Sequence, residues 1–219
     1  MKSINGVCYI FGAGEYCADD IGIGNEILKN ESDFIIAADG GYLFLQSIGV
    51  EPDFIVGDFD SSPMPKKGNI IKLEKEKDDT DTLFAVKMGL ERGYKVFRLF
   101  GCTGGDISHT LANIQILAYI TESGAAGYLY GDGYAMTVIK DGSIEFGAEM
   151  SGRISVFAHS EKAYGVCEEG LKYKLENATL SNSFPQGVSN EFTGEKSRIS
   201  VEEGIVLLVS DMRFFLCPI

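Results

Sequence analysis

No two of the five cysteines stand in a Cys-x-x-Cys pair, and their number is odd. That spacing excludes the common zinc and thioredoxin-like arrangements. Cys8, Cys17, Cys102, Cys167 and Cys217 are scattered, several of them in apolar runs, which is the pattern of reduced, buried thiols in a cytosolic protein. No stretch approaches the roughly 20 apolar residues of a membrane-crossing helix. The opening Met1-Lys2-Ser3-Ile4-Asn5-Gly6 holds no apolar run of signal-peptide length, so the expected location is the cytoplasm, with no membrane partner. Positive charge is scarce as well: 19 Lys and Arg against 32 Asp and Glu leave a formal net charge of -13. So acidic a chain opposes nucleic acid, whose phosphates need a basic stripe. It does not oppose a small anionic substrate, because a bound divalent cation reverses the local sign.

What is present is an ordinary soluble balance, 45% hydrophobic and 23% charged residues, on a length that can bury a core. The first two-thirds alternate short apolar runs with helical patterns. Val7 to Phe11, Phe34 to Ala38, Phe54 to Val56, Ile70 to Leu73, Val96 to Phe100 and Tyr128 to Tyr130 are apolar without clean alternation, as in strands covered on both faces of a parallel sheet. Thr80 reads as the N-cap of a helix that Gly93 stops, and His109 to Ile120 reads as a second helix. From about Ala135 the runs become Thr137 to Ile139, Ile144 to Phe146, Ile154 to Phe157, Leu171 to Leu175, Ile199 to Val201 and Ile205 to Val209. Gly, Asn, Ser and Asp punctuate them, and no helix intervenes. The expected fold is therefore α/β: a mostly parallel sheet with flanking helices over 1–134, then a smaller all-β sandwich over 135–219.

The chemistry gathers where strands end. The apolar runs of the first half lead into loops of glycine and carboxylate: Gly12-Ala13-Gly14-Glu15, Asp39-Gly40-Gly41, Gly57-Asp58-Phe59-Asp60-Ser61, Asp78-Asp79-Thr80-Asp81, Gly101-Cys102-Thr103-Gly104-Gly105-Asp106 and Gly131-Asp132-Gly133. In a parallel sheet such loops emerge along the edge where open α/β folds bind ligands. Glycine lets backbone N–H groups approach phosphate oxygens, and clustered carboxylates repel one another unless a cation bridges them. Together these features describe a Mg2+–polyphosphate site. Asp58 and Asp60 are the sharpest pair: in extended backbone their side chains point the same way, about 6.6 Å apart. A solvated turn is the plain alternative, and the acidic run ending at Asp81 tips the balance to metal. Asp78 to Asp81 can also be simple capping residues. Gly12-Ala13-Gly14 lacks the third glycine of a dinucleotide fingerprint, Cys17 standing there, and reads as a tight turn; no P-loop occurs either. His109, one of two histidines, opens a helix beside the glycine loop, either as a neutral capping residue or in a phosphate-contact or base role. His159 receives no role.

In order and approximate spacing these loops resemble thiamine pyrophosphokinases. Asp39-Gly40-Gly41, Gly57-Asp58-Phe59-Asp60-Ser61 and Asp78-Asp79-Thr80-Asp81 are similar to that family's DGG, GDFDS and DxTD motifs. Gly170-Leu171-Lys172-Tyr173 and Gly187-Val188-Ser189-Asn190-Glu191 are similar to its GLKY and GxSNE segments. The resemblance covers nearly the whole chain. It implies a transferase that moves pyrophosphoryl from ATP to the thiamine hydroxyl. It also implies an N-terminal domain for ATP and Mg2+, a C-terminal domain for thiamine, and a homodimer with active sites shared between subunits. By position it implies Asp58, Asp60 and Asp81 as catalytic metal ligands. Asp39, Gly40, Gly41, Thr80, Gly104, Gly105 and His109 fall on the nucleotide side. Tyr173 would lie against the thiamine rings, with Ser189 and Asn190 hydrogen-bonded to its aminopyrimidine. On residue chemistry alone Tyr173 fits a core aromatic and Ser189-Asn190 a turn.

One loop departs from the pattern. Where the family reads GGRxDHT, this chain has Gly104-Gly105-Asp106-Ile107-Ser108-His109-Thr110. Asp106 replaces an arginine able to pair with phosphate. It either repels the triphosphate, turns outward or joins the metal cluster, and Lys77 or another lysine can stand in for the lost charge. Two rivals follow: a Mg2+-dependent phosphotransferase for another small alcohol, and a weakly catalytic sensor that binds nucleotide or thiamine.

Overall fold

The computed structural model describes residues 5–17, 30–60, 62–76 and 78–211. Ser61, Lys77 and Cys217, and the opening residues 1–4, lie outside them. The chain divides into two compact units, Met1–Asp132 and Gly133–Ile219.

In the first unit the described elements are β1 (Val7–Phe11), β2 (Phe34–Ala38), α1 (Gly41–Ser47), β3 (Phe54–Gly57), β4 (Ile70–Lys72), α2 (Asp81–Glu91), β5 (Val96–Phe100), α3 (Ile107–Glu122) and β6 (Ala126–Gly131). The strands stand in the order β6-β5-β1-β2-β3-β4, and each pairing is parallel. Ile10, Ile36, Leu99 and Leu129 are wholly buried, which is why their strands carry apolar side chains on both faces. Thr80 caps α2 by accepting from the Leu83 N–H at 3.1 Å. The helix α3 starts two residues before the expected His109, because Asp106 caps it. The short α1 was not among the expected helices: it opens on glycine, and Gly40 gives it no side-chain cap.

The chain steps from β1 through β2 and β3 to β4 in one direction, then returns to lay β5 on the other side of β1. The order of the sheet thus reverses between β1 and β5. At such a reversal the two following loops diverge and leave a crevice at the carboxyl ends of the strands.

The second unit contains β7 (Tyr134–Lys140), β8 (Ser143–Phe146), β9 (Arg153–Ala158), β10 (Lys162–Glu169), β11 (Leu175–Ser181), β12 (Asn190–Glu191), β13 (Ser197–Ser200) and β14 (Ile205–Ser210). They pair antiparallel as β12-β9-β14-β7 and as β11-β10-β13-β8, an antiparallel sandwich around Ile154, Val156, Val166, Ile199 and Leu208. The strand expected over Leu171 to Leu175 is not formed. Residues 170–174 connect β10 to β11, and only Leu171 bridges, to Phe192. The cause is Gly170, whose φ of 70° turns the chain where a Cβ would overlap the Lys196 carbonyl. No helix among the described residues is long and apolar enough to cross a membrane.

Candidate active site

The loops after β1 and β5 are laced together by main-chain hydrogen bonds. Gly12 N–H donates to Phe100 O at 2.8 Å, Gly14 N–H to Gly101 O at 2.7 Å and Glu15 N–H to Thr103 O at 2.9 Å. A Cβ at Gly14 would overlap the Thr103 carbonyl oxygen, so the close approach requires glycine there. The Glu15 carboxylate accepts from the Gly105 N–H at 3.1 Å, and the buried Asn113 amide donates to Cys102 O at 2.7 Å. Gly12 to Gly14 is therefore a brace for the glycine loop. Glu15 and Asn113 complete that brace, and nothing in their local sequence distinguishes them.

Beneath these loops opens a cavity of about 510 Å³. Asp39, Asp58, Asp60, Thr80 and Asp81 line one part of it, and Gly104, Gly105 and His109 another. Gly40 and Gly41 stand apart from its wall. Gly41 is buried as the first residue of α1, where a Cβ would overlap the Phe11 carbonyl. Cys102 also faces the cavity, but burial pushes its thiol up to about 12, and it remains protonated near neutral pH.

Asp39, Asp58 and Asp81 bring carboxylate oxygens within 4.8 Å of one another. Each arrives from a different element: Asp39 just after β2, Asp58 just after β3, and Asp81 as the first residue of α2. Asp39 has a φ of 47°. Its N–H donates to Val56 O at 2.7 Å, and its carboxylate accepts from Ser62 Oγ at 2.8 Å. Left-handed backbone at a residue other than glycine is uncommon and gathers at functional sites. Phe59 has it too, with φ 58°. This is where the expected Asp58–Asp60 geometry changes: β3 ends at Gly57, and the left-handed Phe59 breaks the alternation of an extended chain. Asp60 leaves the cluster and pairs with Lys75 at 2.9 Å, while its N–H donates to Asp58 Oδ1 at 3.1 Å. Asp39 stands in the cluster instead. The Lys75 ammonium is held above its usual range, first by its hydrogen bond to Asp60 and then by the Asp60 and Asp58 charges. Asp79 is engaged by Lys87 at 2.6 Å.

Three carboxylates at this separation repel unless a cation lies among them, and an all-oxygen set suits a hard divalent ion. The donor set fits Mg2+.

Asp106 resolves its alternatives through the backbone. Its carboxylate accepts from the Ser108 N–H at 2.8 Å as the N-cap of α3, and that bond holds its pKa below the ordinary carboxylate range. It borders the cavity while serving its own helix. His109 is exposed beside it.

In the second unit, Tyr173 is 60% exposed. Ser189 is exposed in left-handed conformation, φ 60°, with its N–H on Ser155 Oγ at 2.9 Å. Asn190 differs: it is 4% exposed, and its amide bonds to Glu168, Tyr173 and Glu191. Tyr173 and Ser189 are open to a ligand, and Asn190 is engaged within the protein.

Two family models match the chain. A family model described as thiamin pyrophosphokinase, catalytic domain, matches residues 26–128. One described as thiamin pyrophosphokinase, vitamin B1 binding domain, matches residues 143–206. The thiamine pyrophosphokinase of Bacillus subtilis (strain 168) is 28% identical over 182 residues, 80% of this chain and 85% of its own length. Among solved structures, a thiamine pyrophosphokinase from Bacillus subtilis is similar with a TM-score of 0.83 at 24% identity, over 96% of this chain and 100% of that one. The thiamin pyrophosphokinase from Candida albicans follows at 0.77 and 18%, over 94% and 89%. At such identities the structural likeness speaks for the fold.

Proposed function

Because the chain belongs to the thiamin pyrophosphokinase family, we infer that it moves the terminal pyrophosphoryl group of ATP to the hydroxyl of thiamine, giving thiamine diphosphate and AMP. One observation carries the chemistry: Asp39, Asp58 and Asp81 converge beside a glycine loop at the carboxyl edge of a parallel sheet.

The reaction is a displacement at the β-phosphorus. The thiamine hydroxyl oxygen forms a bond to that phosphorus, and the bond from it to the oxygen shared with the α-phosphorus breaks. The electron pair leaves on AMP, and a carboxylate of the acidic edge accepts the alcohol's proton. Such transfers depend on in-line positioning and charge neutralisation more than on covalent catalysis. Asp39, Asp58 and Asp81 would hold Mg2+, which when bound neutralises phosphate charge and stabilises the leaving group. The Gly104-Gly105 turn would border the phosphates with its shape set by Glu15, whose carboxylate takes the Gly105 N–H. Lys75 brings an ammonium to the cavity wall and is suited to replace the positive charge that the glycine loop lacks.

Tyr173 and Ser189 are assigned to the thiamine side, and the two units to ATP with Mg2+ and to thiamine, respectively. We further propose a cytoplasmic homodimer in which the acidic loops of one subunit work with Tyr173 of the other. The family likeness supports this, as does the segregation of phosphate-handling and ring-handling residues into different units.

Purified protein incubated with ATP, Mg2+ and thiamine should release AMP and thiamine diphosphate in equal amounts, read by anion-exchange chromatography. ADP with thiamine monophosphate, or no product, would overturn the reading.

A further inference from the structure

The side chain least suited to its surroundings in the second unit is Glu168. It lies next to the end of β10 on the inward face with Val166, and it is 1% exposed. A carboxyl group so buried is costly unless it is paired or bonded. Glu168 Oε2 accepts from Asn190 Nδ2 at 2.6 Å, while Oε1 has no hydrogen-bond partner among the described residues. Burial raises its pKa, and the Asn190 bond opposes the rise. A Cβ placed on Gly187 would lie 3.8 Å from Oε1, so the same carboxyl group underlies the loop that carries Ser189.

Asn190 explains what the buried group is for. Its Nδ2 donates one hydrogen to Glu168 and the other to Tyr173 O, also at 2.6 Å. Its Oδ1 accepts from Tyr173 N–H and from Glu191 N–H, each at 2.9 Å. An asparagine amide has two N–H donors and an oxygen with two lone pairs. All four are used, so Asn190 has nothing left for a ligand. What it holds is Tyr173, by both of that residue's main-chain groups. A second clamp runs alongside: Lys172 N–H donates to Glu191 O at 3.0 Å, and the Lys172 ammonium pairs with the Glu191 carboxylate at 2.9 Å. The exposed Tyr173 ring thus stands on backbone fixed from below. A flipped Asn190 amide would set donors against the Tyr173 and Glu191 N–H groups, and Glu168 is the acceptor that keeps Nδ2 turned the right way.

We propose that Glu168 is a positioning residue for the flat, cationic heterocycle that Tyr173 receives, acting through the Asn190 amide on the Tyr173 main chain. The Lys172 ammonium lies over one face of the Tyr173 ring, 5.5 Å from its centre, so the opposite face is the one suited to a flat aromatic cation, and a stacking surface is effective only when its own position is fixed beforehand. That this heterocycle is thiamine rests on the functional reading above. Asn190 becomes a relay in place of a thiamine ligand.

The experiment uses the full chain with thiamine itself as probe, by isothermal titration calorimetry, beside steady-state kinetics. Glu168→Gln keeps an acceptor for Asn190 and should bind thiamine within about twofold of wild type. Glu168→Leu should weaken thiamine binding about tenfold, as expected when a buried donor loses its partner. It should raise the thiamine KM in step, and leave the ATP KM and kcat within about twofold. A role confined to folding would not separate the two substrates in this way. If Glu168→Leu does not fold, Asn190→Asp supplies the test: its carboxylate opposes Glu168, and thiamine binding should fall similarly. Adding Glu168→Gln to Asn190→Asp, which restores a donor–acceptor pair in reverse, should recover part of the loss. Folded Glu168→Leu or Asn190→Asp protein that binds thiamine like wild type overturns the inference. So does Glu168→Gln as poor as Glu168→Leu, or an equal loss toward ATP. Wild-type protein that takes up no thiamine overturns the functional reading and this inference with it.

Discussion

Asp39, Asp58 and Asp81 acquire their meaning only from their separation. Each looks like an ordinary turn or cap residue, and each lies at the end of a different element. Held within 4.8 Å, they form a concentration of negative charge that a divalent cation relieves. Asp60, two residues from Asp58, pairs with a lysine instead. The single torsion at Phe59 accounts for the difference, since in an extended chain Asp58 and Asp60 would point together. The three carboxylates and Asp60 should therefore respond differently to neutralisation. Asp39→Asn and Asp58→Asn are expected to lose activity about 100-fold or more, in keeping with the several kcal/mol that a metal supplies to such a step. Asp60→Asn should lose less. Both cluster variants should also need more Mg2+ for half-maximal rate, and Asp60→Asn should keep a near-normal Mg2+ requirement with a raised ATP KM from the altered setting of Lys75. Equal losses at Asp39 and Asp60 with identical Mg2+ titrations would contradict the geometric assignment.

At the scale of elements, the parallel sheet was legible and the sandwich less so, for a physical reason. Strands covered on both faces are mostly apolar, and the runs Val7–Phe11, Phe34–Ala38 and Val96–Phe100, the last interrupted by Arg98, mark β1, β2 and β5 to the residue. In the second unit, β10 carries Gly165 and an inward Glu168 and so lacks a clean apolar side, while the apolar Leu171 lies in a connection. The acidic loops announced themselves through composition. The left-handed turns at Asp39 and Phe59 did not, because no local signal requires them in residues other than glycine. The N-terminus of α3 shows how context redirects a residue: Asp106, in a position suited to a phosphate-binding arginine, caps its helix. Asp106→Arg should therefore lower thermal stability without tightening ATP binding. Because the Asp106 pKa is depressed in the folded protein, its contribution is present above the ordinary carboxylate range and is lost as pH falls through the folded value. The melting difference between wild type and Asp106→Ala should thus be largest near neutral pH and shrink as pH falls. A difference that grows toward acid, or an Asp106→Arg protein that binds ATP several-fold tighter, would speak against the capping role.

For the whole molecule, the distribution of chemistry sets the sharpest test. The first unit carries the acidic cluster, the glycine loop and Lys75, all suited to phosphate. The second carries an exposed tyrosine on a clamped backbone, suited to a flat ring and offering no metal-binding cluster among its described residues. The proposed transfer draws on both sets. If the working site combines the first unit of one subunit with the second unit of its partner, defects in the two units should complement. Asp58→Asn protein keeps an intact Tyr173, and Tyr173→Ala protein keeps an intact acidic cluster. Each alone should be nearly inactive at substrate concentrations near the wild-type KM. After subunit exchange, a mixed dimer would contain one site with both defects and one with neither. Random mixing of equal amounts makes half of the dimers mixed, so the pool should regain about a quarter of wild-type activity per total site, by the closed symmetry of a twofold dimer. Exchange is verified by mass spectrometry of differently tagged chains, and activity is followed by AMP release. Full exchange with activity no higher than the two parents combined would mean that each subunit completes its own site.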